Sequence, residues 1–159
     1  MNKFMCRRYL LFCVSLFVNA LGIAFITKAA LGTSPITSVT YVLSMFTPFT
    51  IGQWTILLNL LFVILELFLM TREDLKSDLR MYLLQIPISF CFGMFIDLCM
   101  HYILFWLNPV EYVYMIVALL IGCVILAVGI ALEVKANAAM MAGEYFVKVI
   151  TRRFRGEFG

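Results

Sequence analysis

Charge is scarce in this sequence. Asp, Glu, Lys and Arg make up 13% of its 159 residues, about half the share usual in soluble domains. With 64% hydrophobic residues beside that figure, an ordinary soluble fold is excluded. Histidine occurs once, which excludes most His-dependent metal sites. The five cysteines are an odd number and include no C-x-x-C pair, which speaks against a disulfide framework, a zinc site or a redox pair. There is no metal-ligand spacing, no nucleophile elbow and no phosphate loop. Only Asp97 and His101 could do acid–base work, and no nucleophile accompanies them. No enzyme activity, catalytic residue, metal or cofactor is therefore expected. The one dense basic cluster is Lys148, Arg152, Arg153 and Arg155. It follows directly on a hydrophobic span and reads as a contact with anionic lipid rather than with nucleic acid.

Long uncharged runs fill the space that charge leaves. They cover 19 residues between Arg8 and Lys28, 37 between Lys28 and Glu66, and 21 between Glu111 and Glu133. Such runs predict membrane-spanning helices. Four spans are expected, at 9–27, 53–70, 81–106 and 112–132. The connector 71–80 carries six charges in ten residues and is read as an aqueous link. Residues 29–52 are uncharged but broken by Gly32, Pro35, Pro48 and Gly52, so they cannot span. Ser34 followed by Pro35 predicts a helix start. Ile36, Val39, Leu43 and Phe46 then form an apolar stripe, expected to pack onto neighbouring spans. The segment is either an interfacial or a re-entrant helix.

The chain also repeats itself. A slide of 107 positions lays Ala20–Ala29 on Ala127–Ala136 with six identities in ten, and the short helix after Ser34 acquires a counterpart at 142–151. Three spans between equivalent points make the two copies enter the membrane from opposite sides, an inverted repeat. Repeat one covers 9–106 and repeat two 112–159, within a single membrane domain, 1–159. The second copy stops at Gly159, so the chain is expected to be truncated by two spans, with Ala127, Ile130 and Phe146 left uncovered. A homo-oligomer or a partner subunit would then supply the missing part. Eleven of the twelve basic residues fall on the N-terminus, the 71–80 connector and 133–159, and only Lys28 lies opposite. By the positive-inside rule both termini are expected in the cytoplasm.

These residues resemble a known group. Arg7-Arg8-Tyr9, Gly22-Ile23-Ala24, Lys28 through Pro35, Gly52, and Phe92 through Leu98 are similar to the YczE/YyaS/YitT group of bacterial membrane proteins. The resemblance implies a multi-pass protein of the bacterial inner membrane with a duplicated core, and transport by association. Members are generally longer, and most have no assigned activity. In the second copy Ala138–Ala142 replaces the Leu31–Pro35 loop.

The fold expected is thus an all-α membrane protein with about four transmembrane helices and two short interfacial or re-entrant ones. A permease for a small molecule or ion is the leading expectation, with Lys28, Gly32, Ser34, Pro35, Asp97 and His101 as the substrate wall. Asp97 and His101, four residues apart, share a helix face and read either as a cation or proton site or as an interface pair satisfying each other. The start of the short helix at Ser34 offers a positive dipole end, and Gly32 close backbone approach. Glu66 is read as reaching the inner interface, and Asn19 and Asn59 as interhelical hydrogen-bonding residues. The alternatives are a factor that regulates or assembles another membrane protein, or an inactive fragment.

Overall fold

The computed structural model describes residues 3–70, 72–136 and 141–154. They form helices α1 (Lys3–Lys28), α2 (Pro35–Phe46), α3 (Ile51–Leu69), α4 (Arg72–Leu98), α5 (Tyr112–Ala136) and α6 (Ala142–Phe154), with a π-helical turn, Cys99–Ile103, ending α4. The described residues contain no strand. Four of the helices are long and apolar enough to cross a membrane, at Arg7–Lys28, Ile51–Leu69, Tyr82–Ile103 and Tyr112–Ala136. The chain is an all-α, multi-pass membrane protein.

The charged connector differs from expectation. Helix α4 begins at Arg72, so 72–80 are its first turns and not a loop. That stretch holds neither glycine nor proline, and its Glu, Leu, Lys and Arg residues favour helix over coil.

Helices α1 and α5 pack through small residues. A Cβ on Gly22 would lie 2.8 Å from the backbone nitrogen of Leu126, and one on Gly122 would lie 2.9 Å from that of Ile26, while Gly129 packs onto Asn19. At the far end Arg8 donates from Nε to the Ala136 carbonyl (3.0 Å). As α1 advances from Arg8 to Ile26, its partners on α5 retreat from Ala136 to Gly122, so the two helices are antiparallel. Without a hydrophobic drive between helices in lipid, this close approach supplies the packing. The α3–α4 pair uses the same device at Gly52 and Gly93, where a Cβ on Gly93 would lie 2.6 Å from the Gly52 carbonyl oxygen. Phe12, Leu16, Ala20 and Ala24 on α1, with Phe92, Ile96 and Cys99, form the apolar core.

Helix α2 folds back along α3. Thr47, just past its end, accepts a hydrogen bond from Trp54 Nε1 in the first turn of α3 (2.7 Å). Ile36, at its start, meets the same spot as Phe62, since a Cβ on Gly143 would lie 3.7 Å from one and 3.9 Å from the other. Phe62 is about 16 Å along α3 at 1.5 Å per residue, so α2 begins beside the middle of α3 and runs back to its start. The chain reaches that point through Ala30 (φ 57°) and Gly32 (φ 144°). Nothing approaches Gly32 within 4 Å of a Cβ position; glycine serves its left-handed backbone there rather than the close approach expected.

The apolar stripe of α2 also faces the other way. Val39 and Phe46 are exposed and Leu43 is half-buried, while Thr37 and Thr40 are buried; Ile36, half exposed, also borders Gly143. In lipid the apolar face turns outward and the polar face inward, the reverse of a helix on a soluble core. Phe146, expected to lack a partner, stacks on Phe62 with ring centroids 5.2 Å apart.

Candidate functional site

The turned-in polar face of α2 lines a cavity of about 360 Å³, within the size range of small-molecule pockets. Helix α1 contributes Asn19 and Ile23; α2 contributes Ile36, Thr37 and Thr40, with Ser34 before it. Helix α3 adds Thr55 and Asn59, α4 adds Phe92 and Ile96, and α5 adds Leu126, Ile130 and Glu133. Gly143, Glu144 and Val147 of α6, with Met141, complete the wall. The first turns of both short helices open on this space. Each element has a local reason to end here: Ser34 caps α2 by accepting from the Thr37 backbone N–H (3.3 Å), with Pro35 in the first turn.

Glu133 is the buried acid of the wall. It is 5% exposed and accepts a hydrogen bond at Oε2 from Asn19 Nδ2 (2.8 Å). Its other oxygen, Oε1, has no hydrogen-bond partner. Glu144 lies close enough to act on Glu133 electrostatically, and partial desolvation holds the Glu144 carboxyl above the usual carboxylate range. Ser34 Oγ and Thr37 Oγ1 share one hydrogen bond (2.9 Å), and the other two hydroxyls of the wall are committed as donors. Thr40 Oγ1 donates to the Thr37 carbonyl (2.9 Å) and Thr55 Oγ1 to the Ile51 carbonyl (2.8 Å), which leaves each with acceptor capacity alone. Among the described residues no Lys, Arg or His lines the cavity.

Of the six residues expected in the wall, Ser34 alone lines the cavity. Lys28 ends α1, where a cation suits the carboxyl end of the helix dipole. Gly32 and Pro35 shape the entry to α2. Asp97 packs on α3, accepting from the Thr50 hydroxyl (2.6 Å) and the Gly52 backbone N–H (2.9 Å). It thereby satisfies donors that a helix start leaves free, and its partners belong neither to α1 nor to α2. His101 is exposed within the π-helical turn, with no hydrogen bond among the described residues. Asp97 is half-buried with both oxygens bonded to Thr50 and Gly52, so the two residues do not pair although four positions separate them.

Glu66 does not reach the interface. It is fully buried, beside Gln85 of α4, because the short turn into α4 brings that helix alongside. Tyr82 Oη closes the same region by donating to the Val63 carbonyl (3.1 Å). Asn19 bridges two helices, as expected. Glu133 was legible only through its neighbours. Ala118, Gly122, Gly129 and Ala136 are buried with it on one face of α5, and a carboxylate on a small-residue stripe belongs to a helix–helix contact.

The chain belongs to a family of unknown function, DUF6198, whose sequence profile it matches over residues 6–159. No curated protein and no solved structure gives a match.

Proposed function

We propose that this chain, from a family without an assigned activity, binds a small solute in the cavity between α2 and α6 and passes it across the membrane as a permease does. The observation that carries the reading is the unpartnered Oε1 of Glu133, buried at a cavity onto which the first turns of both short helices open. Broken helices meeting at a mid-depth polar site are the arrangement from which alternating-access transporters are built. An unpaired buried acid is costly, and Glu133 differs from Glu66, also buried with unpartnered oxygens, in lying in a cavity wall where a solute can meet it.

The antiparallel α1 and α5 support an inverted repeat, Ala20–Ala29 against Ala127–Ala136. The reading places the chain in the bacterial inner membrane, near the YczE/YyaS/YitT group. Residence in the cavity is tested by Ser34→Cys in a chain whose native cysteines are replaced by alanine. In sealed vesicles this cysteine is expected to react with a membrane-impermeant thiol reagent, while Val124→Cys, on the exposed face of α5, stays unreacted. No reaction of Ser34→Cys from either side of the membrane overturns the proposal.

A further inference from the structure

We infer that the solute is a small organic cation with N–H donors and an apolar body, such as a primary alkylammonium ion; this rests on the cavity being a solute site. Three observations converge on that class.

The charge of the wall is of one sign. Glu133 and Glu144 face the space, and among the described residues no basic side chain does. A second anion would add repulsion in a medium of low dielectric, where Coulomb terms are strong. The positive helix ends that would otherwise favour an anion are already met, at α2 by the Ser34 cap and at α6 by Glu144 in its first turn.

The buried polar atoms of the wall that lack a partner, Glu133 Oε1 and Asn19 Oδ1, are both acceptors. Glu133 Oε1 has no partner although the residue is more than nine-tenths buried. The protons of Thr40 and Thr55 are committed to backbone carbonyls. An ammonium group carries three donors and no acceptor, as a lysine head does, and so complements these groups. A charge-assisted bond to Glu133 would satisfy the one lining carboxylate oxygen that is buried and unpartnered.

The rest of the wall is apolar. Ile23, Phe92, Ile96, Leu126 and Ile130 offer no ligands to a hydrated metal ion but suit an alkyl chain, and Phe92 adds an aromatic surface of the kind that favours cations.

The test is calorimetric titration of the full chain in nanodiscs of zwitterionic lipid with three probes of equal carbon number: n-butylammonium, n-butanol and butyrate. Butylammonium is expected to bind at least tenfold more tightly than either of the others. Glu133→Gln should weaken it at least tenfold. Glu144→Gln, on an exposed residue, should weaken it severalfold and carries the test if the first variant does not fold. Equal binding of butanol, preference for butyrate, or wild-type affinity in the folded variants overturns the inference. If no probe binds while Ser34→Cys is still labelled, the cation class falls and the cavity stands as a solute site. An unlabelled Ser34→Cys removes the site reading itself.

Discussion

Asn19 of α1 and Glu133 of α5, 114 residues apart in sequence, meet at 2.8 Å inside the bundle. The contact joins two helices at a point where the 107-position slide gives no identity, since it sets Asn19 against Leu126 and Ile26 against Glu133. The polar partners therefore come from complementary and not from identical positions.

A double-mutant cycle on Asn19→Ala and Glu133→Ala measures that contact. Interhelical hydrogen bonds in membranes are worth from about 0.6 to about 1.7 kcal/mol, and the charged acceptor places this one toward the upper end. The expected coupling, read from unfolding in detergent, is about 1–2 kcal/mol. A coupling near zero would show that the two side chains do not bond.

Glycines divide into tight and open sites. Gly22→Ala is expected to cost about 1–3 kcal/mol, because its Cβ would sit 2.8 Å from the backbone of Leu126 and must push α1 from α5. Gly143→Ala, whose nearest neighbour would be 3.7 Å away, should leave stability unchanged or raise it slightly. Paired thermal-melt measurements decide this, and equal losses at both positions would contradict the packing described.

Asp97→Ala removes both bonds to the start of α3. It should cost about 1–3 kcal/mol of stability, while leaving butylammonium affinity and Ser34→Cys labelling at their wild-type levels in protein that remains folded. Loss of binding with unchanged stability would instead make Asp97 part of the site.

Both chain ends should report from one side of the membrane. Four crossings are an even number, and the bond from Arg8 to Ala136 sets the start of α1 beside the end of α5. Reporter fusions at Gly159 and at Asn108 should score on opposite sides, with Gly159 cytoplasmic by the distribution of basic residues. The reverse score at Gly159 would invert the orientation.

The sequence by itself determined the four spans, the Ser34–Pro35 helix start and the all-α class, because hydrocarbon thickness and backbone hydrogen bonding leave few alternatives for uncharged runs of about 20 residues. It also carried the bridging role of Asn19. Only the tertiary structure decided which way each face turns. The stripe Ile36, Val39, Leu43 and Phe46 is equally amphipathic whether it meets lipid or protein, and the outward turn of Val39 and Phe46 follows from what surrounds α2, namely Asn59, Glu133 and the first turn of α6. The same holds for the acids. Asp97 and Glu133 both stand near the end of an apolar run, and nothing local separates a residue that secures the start of α3 from one left with a free oxygen at a cavity. That distinction depends on the helix each one faces, which is fixed by the glycine contacts that set α1 on α5 and α3 on α4 across long stretches of chain.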